Sequence, residues 1–305
     1  MKSAGERLAV TALAVMLGLG LWPGLAQARP LIMGNQAAFG GGPIRTYDFE
    51  TGVLVNSFVP AGAFGTNNGR GVAMVGPDVF YTELGGTGFG ATDFIRVVPF
   101  GGGADTRTLP NPRPACGIQD LAFSNGVLWA LTGYIFPAIP ACATPQVFGL
   151  NPITGAVVSG PVTIAAPAIS ISDGFTVLRN GNFLINNNDG GCTYNQFNPS
   201  TGALMPATTI VVPGAVFCTG VETDGVSLFF ATVRGPASSL TQTTLAGALI
   251  ANRPISGIPV GSAIEDITLV PEPVPTLTGW GMIGLVVLLL GLGVWTIRRH
   301  GIVTA

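Results

Sequence analysis

Histidine is missing from almost the whole chain: of 305 residues, the one copy is His300. A Ser-His-Asp or Cys-His arrangement and any His-ligated metal centre are therefore excluded from everything that precedes it. Lysine is nearly absent as well, with Lys2 the sole example, and charged residues of all kinds make up only 9% of the chain. Between residues 29 and 270, nine arginines face thirteen acids, which leaves this body at about −4. Nucleic acid is a poor partner for such a surface, because neutralising phosphates takes clustered Lys and Arg. A sustained 3.6-residue period is also lacking, so no helical bundle is expected.

What is present begins with a short basic and apolar start. Lys2 and Arg7 precede an apolar run from Leu8 to Trp22, and Ala26-Gln27-Ala28 has the small-x-small pattern of a cleavage site. Residues 1–28 read as a secretory signal peptide. At the other end, residues 279–297 carry no charge and are followed at once by Arg298-Arg299-His300. This predicts one transmembrane helix with a positive-inside stop, a cytoplasmic tail at 298–305, and a body outside the cytoplasm. Pro271-Glu272-Pro273-Val274-Pro275 opens an extended spacer over 271–278, since proline at this density suits neither a helix nor a central strand.

Val274-Pro275-Thr276-Leu277-Thr278-Gly279-Trp280-Gly281, the apolar span and the Arg298-Arg299 pair resemble the IPTL-CTERM sorting signal, a relative of the PEP-CTERM tails of Gram-negative bacteria. The resemblance covers about the last thirty residues and rests on Pro275, Thr276, Leu277, Trp280, Arg298 and Arg299. It departs at Gly279, where the family usually has an acidic residue. Such a tail implies recognition by a sorting enzyme of the exosortase kind, and with it an address at the cell surface or outside the cell after processing.

The body between residues 29 and 270 is organised by a repeated hairpin. Gln146-Val147-Phe148-Gly149-Leu150-Asn151-Pro152-Ile153-Thr154-Gly155 recurs as Tyr194-Asn195-Gln196-Phe197-Asn198-Pro199-Ser200-Thr201-Gly202, as Thr46-Tyr47-Asp48-Phe49-Glu50-Thr51-Gly52 and, more loosely, around Gly247. Proline pre-sets the first turn residue and glycine supplies the left-handed one, so Asn151, Thr154, Asn198 and Thr201 are read as structural. Two further strand signals precede each copy, as in Ile118-Gln119-Asp120-Leu121-Ala122-Phe123 and Val127-Leu128-Trp129-Ala130-Leu131-Thr132. Four strands per repeat of about fifty residues mark a β-propeller blade.

Four such units fill the chain from residue 69 to about 259, and the first unit, from residue 31 to 58, lacks its inner strand. Ile264-Glu265-Asp266-Ile267-Thr268-Leu269-Val270 repeats the pattern of Ile118 to Phe123 and is expected to supply it. The fold class is thus all-β, a five-bladed propeller closed by a C-terminal strand, with six blades as the alternative. Closure removes the open sheet edges that invite aggregation.

Four cysteines lie in the body, and three pairings are open to them. In the blade reading, the entry to an inner strand and the connection between a blade's second and third strands share one face of the ring. That placement selects Cys116–Cys142 within blade three and Cys192–Cys218 across blades four and five. No C-x-x-C pair is present, so zinc is not expected.

The short blades are also similar to those of streptogramin-lyase and gluconolactonase-like propellers. The lyases imply a histidine base, which residues 29–270 do not contain. The lactonases imply a divalent cation held by acids and an asparagine. The acids near the inner-strand starts are Asp120, Asp173, Glu222, Glu265 and Asp266, and Asn187 and Asp189 sit in a polar loop expected on the same face. These are the ligand-binding candidates, gathered around one mouth of the channel. No catalytic residue and no obligatory cofactor is expected, although Ca2+ suits a set of carboxylates and carbonyls. The expected function is a non-catalytic binding or structural module of the bacterial envelope or extracellular matrix. The alternative is a cation-dependent hydrolase or lyase that uses the channel acids.

Overall fold

The computed structural model describes residues 31–37, 43–61, 68–84, 94–114, 116–133, 140–166, 174–187, 192–206, 208–234, 237–258, 263–270 and 289. The expected signal peptide, spacer, sorting motif and cytoplasmic tail lie outside the described residues, as does the span apart from Leu289. Among the described residues, no helix is long and apolar enough to cross a membrane. The chain divides into two units, Met1–Pro271 and Glu272–Ala305.

Alternating Val, Ile, Phe and Tyr with polar residues drives the first unit into short antiparallel strands, and turn glycines break them at regular intervals. Blade one contains β1 (Leu31–Ala37), β2 (Ile44–Asp48) and β3 (Leu54–Phe58). Blade two contains β4 (Asn68–Val75), β5 (Asp78–Leu84), β6 (Ile95–Pro99) and β7 (Arg107–Leu109). Blade three contains β8 (Gly117–Ser124), β9 (Val127–Gly133), β10 (Gln146–Leu150) and β11 (Val157–Thr163). Blade four contains β12 (Phe175–Val177), β13 (Phe183–Asn186), β14 (Thr193–Phe197) and β15 (Ile210–Val211). Blade five contains β16 (Phe217–Thr223), β17 (Ser227–Arg234), β18 (Ala237–Thr244) and β19 (Leu249–Pro254).

The last strand, β20 (Ala263–Val270), pairs with β1 from Leu31↔Val270 to Ala37↔Ala263 and becomes the inner strand of blade one. Five four-stranded sheets result, each in meander order from inner to outer strand. This is the five-bladed propeller, closed as expected. The inner strands β20, β4, β8, β12 and β16 neighbour one another in that cycle.

Blade four departs from the expected hairpin. Beyond Asn198-Pro199-Ser200-Thr201-Gly202 the returning chain makes one isolated bridge, Phe197↔Leu204, and pairs again only at β15. Pro206 follows Met205 at once and has no amide to give a ladder, so the outer strand is interrupted there.

Hydrophobic side chains fill the spaces between sheets. Phe80, Leu121, Leu128 and Leu150 pack together between blades two and three, while Ala122, Leu131, Phe175 and Phe183 do so between blades three and four. Between blades five and one, Phe49 meets Phe229 edge-on, with ring centroids 5.1 Å apart.

The hairpin turns serve a second purpose at the outer rim. In each blade the turn glycine abuts the outer strand of the preceding blade: Gly52 meets Pro254, Gly102 Phe58, Gly155 Leu109 and Pro110, Gly202 Thr163, and Gly247 Ile210. Gly202 is the tightest, since a Cβ there would stand 1.8 Å from the Thr163 carbonyl oxygen. Its φ of 68° is left-handed too. Glycine satisfies both demands at once, which no other residue does. The turns themselves are held as expected: Asn151 Oδ1 accepts from the Ile153 and Thr154 amides, and Asn198 Oδ1 from those of Ser200 and Thr201.

Both disulfides form in the expected pairing. Cys116–Cys142 joins the entry of β8 to a 3-10 turn (Pro140–Cys142) between β9 and β10, and Cys192–Cys218 joins blade four to β16 of blade five. Each spans 26 residues, and both fit an oxidising, extracytoplasmic compartment.

Candidate functional site

Four of the five inner strands carry a β-bulge at the same level. The pairing shifts between Gly69 and Val72 in β4, between Ile118 and Asp120 in β8, between Cys218 and Val221 in β16, and opposite Asn35 and Gln36 in β20, where Glu265 is the extra residue. A bulge re-aims the side chains beside it. Here it governs how Asp120 and Asp266, the residues directly after the extra ones, are directed.

The two aspartates do equivalent work. Asp266 Oδ2 accepts a hydrogen bond of 2.6 Å from the Val72 amide of blade two, and its Oδ1 accepts one of 2.6 Å from the Ile267 amide. Asp120 Oδ1 accepts from the Leu121 amide at 2.7 Å, and the same carboxyl faces the Phe175 amide of blade four. Each aspartate therefore ties its own strand to the next blade. The remaining junctions rely on close approach. A Cβ on Gly71 would stand 2.7 Å from the Leu121 nitrogen, one on Gly174 2.2 Å from the Thr219 carbonyl oxygen, and one on Gly220 2.5 Å from the Asp266 Cα. Aspartates bridge two of the five inner junctions and glycines let the other three close.

Asp120 and Asp266 are fully buried, at 0% and 1% exposure. Their carboxyls lie within hydrogen-bonding reach of each other, although blades one and three are not neighbours in the ring. Burial raises the affinity of both carboxyls for a proton, and the charge of Asp120 raises that of Asp266 further. Glu222 joins this group from β16. It accepts from Thr176 Oγ1 of blade four at 2.8 Å, from the Thr223 amide at 2.8 Å and from Thr268 Oγ1 of blade one at 3.5 Å. Desolvation by burial pushes its pKa up to about 7.

The acids expected together at a channel mouth are thus distributed differently. Asp120, Asp266 and Glu222 do converge, but the two aspartates are sealed inside the ring. Glu265 forms a 3.3 Å ion pair with Arg70, both side chains being about nine-tenths covered (12% and 14% exposed). Asn187, at the end of β13, accepts from Asn195 Nδ2 at 2.5 Å and belongs to the blade-four hydrogen-bond network. Asp173 and Asp189 lie outside the described residues. Among the described residues, no three acids, cysteines or histidines are arranged to hold a metal ion.

Sequence reasoning missed the partners of the acids. Val72, Thr176 and Thr268 are ordinary strand residues in an apolar and β-branched context. A usable signal was nevertheless present: Gly71 and Gly220 occupy the level of Asp120 and Asp266 in neighbouring inner strands, where a strand interior has no need of glycine unless another backbone comes close.

No described protein family matches the chain, and no curated protein resembles it in sequence. Solved structures do align with it. A protein of unknown function from Bacteroides caccae is 11% identical, with a TM-score of 0.49 over 80% of this chain and 100% of that one. A chain of the nidogen/laminin complex is 12% identical, with a TM-score of 0.47 over 80% and 99%. Glutaminyl cyclase from Myxococcus xanthus is 15% identical, with a TM-score of 0.42 over 70% and 84%. Likenesses of this order carry no argument about activity, and the ring architecture rests on the five sheets themselves.

Proposed function

We propose that this chain is an exported, surface-sorted propeller that acts as a non-catalytic binding or structural module of the bacterial envelope or extracellular matrix. One observation carries the reading: the acids best placed for chemistry are engaged with amides and hydroxyls of the ring itself. Asp266 has both oxygens on amides, and Glu222 accepts three hydrogen bonds. A hydrolase or lyase needs carboxylates that can reach a substrate, and Asp120 and Asp266 are closed off from solvent. Export draws support from the two disulfides and from the signal-like start, and surface sorting from the tail at Pro275, Thr276, Leu277, Trp280, Arg298 and Arg299, for which a membrane sorting enzyme is the proposed partner.

Co-sedimentation of the purified full chain with isolated envelope fragments, and separately with extracellular polysaccharide of the same cells, tests the module. The chain is expected in at least one of the two pellets. Its recovery in both supernatants, together with saturable Ca2+ binding in calorimetry, would overturn the reading in favour of a cation-dependent enzyme. Intact mass of protein released from the cells tests the tail, with loss of the segment after the spacer as the expected outcome.

A further inference from the structure

The two carboxyls at the centre of the ring pose a problem of hydrogen-bond chemistry. A carboxylate is an acceptor only. Asp266 already receives the Val72 and Ile267 amides, one on each oxygen, and Asp120 Oδ1 receives the Leu121 amide. Asp120 Oδ2 is buried and has no partner of its own, while the Asp266 carboxyl stands within reach. Two acceptors brought together away from water are stable only when a proton lies between them. Among the described residues, the acids and the arginine of the neighbouring inner strands have partners of their own. β16 contributes Glu222, another acid; β20 contributes Glu265 and β4 contributes Arg70, which pair with each other; and β12 presents the hydroxyl of Thr176, directed at Glu222.

We propose that Asp120 and Asp266 hold one shared proton, and that this proton joins blade three to blade one across the axis of the ring. The inference concerns the ring itself and stands whether or not the module reading above is correct. It makes the centre of the propeller a protonation site in which each aspartate keeps its backbone tie to the next blade and the proton links the two ties. Folding then takes up a proton that the unfolded chain, with aspartates near the ordinary value of about 3.9, has already released at neutral pH. The contribution is complete at acid pH and is lost as pH rises, because the ring must either keep a proton that solvent no longer supplies or hold two adjacent charges.

Asn at position 120 supplies a permanent N–H donor where the proton would sit, at nearly the same volume. Thermal unfolding of the full chain from pH 4 to pH 9 is therefore compared between Glu222→Gln, which removes the third buried acid that converges with the pair, and Asp120→Asn in the same background. The Glu222→Gln protein is expected to lose melting temperature steadily over this range, and the double variant to lose markedly less. Equal slopes would overturn the proposal. Carboxyl carbon NMR of the unsubstituted chain serves independently of any variant: two aspartates are expected to remain coupled and partly protonated at pH 7, and full ionisation of every aspartate at that pH would equally overturn it.

Discussion

The carboxylate of Asp266 accepts the backbone amide of Val72 at 2.6 Å, across 194 residues of sequence. This is the contact by which the last strand of the body fastens the first complete blade, and it shows that the ring is locked by polar groups as well as by sheet pairing.

Removing that carboxylate has a defined cost. Asp266→Ala leaves the Val72 and Ile267 amides buried without an acceptor, at about 1–3 kcal/mol each. Chemical denaturation of the variant is expected to show a loss of about 2–6 kcal/mol, whereas Glu265→Gln, which weakens only the Arg70 pair, should cost about 1 kcal/mol or less.

Turn glycines separate into two kinds. Gly126 and Gly202 both have positive φ, but a Cβ on Gly126 meets nothing within 4 Å while one on Gly202 collides with the Thr163 carbonyl. Gly126→Ala is expected to cost about 1–2 kcal/mol from backbone conformation alone. Gly202→Ala adds an overpacking penalty of about 1–3 kcal/mol, and parallel urea melts distinguish the two.

Stability should decline from acid to neutral pH at Glu222. Its folded pKa, about 7, lies above the unfolded value of about 4.3, so the fold favours the protonated form. The contribution is fully present below about 4.3 and disappears as pH rises through about 7. Melting temperatures measured across this window are expected to fall less steeply for Glu222→Gln than for the unsubstituted chain.

The disulfides differ in what they restrain. Replacing Cys116 and Cys142 together by serine should cost about 2–4 kcal/mol and loosen blade three internally. The Cys192 and Cys218 pair crosses a blade junction, so its double replacement should cost a similar amount and also raise amide exchange in β16 and around Gly174. Uniform exchange across both blades in that variant would show that the bridge does not hold the junction.

Strand count and closure were legible because each blade repeats its own punctuation: a glycine turn, a hairpin with Asn-Pro or its equivalent, and the Asp120 and Asp266 strands with matching patterns. The disulfides followed from that topology, since only one pairing joins positions on the same face. The condition of the acids did not follow. Asp120 looks the same in sequence whether it opens to a channel or closes on a neighbouring amide, and what decides the matter is a bulge at Gln119 and the approach of a backbone that is distant along the chain. Blade four keeps its four strands, but its outer edge is interrupted because Pro206 stops the pairing begun at Leu204.

Blade one is divided between Leu31 and Val270, and this sets the order of assembly. A chain emerging from its amino end can pair the strands of blades two to five locally as they appear. It cannot finish the first blade until the last strand arrives. The completed ring therefore becomes possible only when the chain is available as far as Val270, and a protein interrupted anywhere short of β20 is left with blade one unfinished and the inner edge of β1 unpaired.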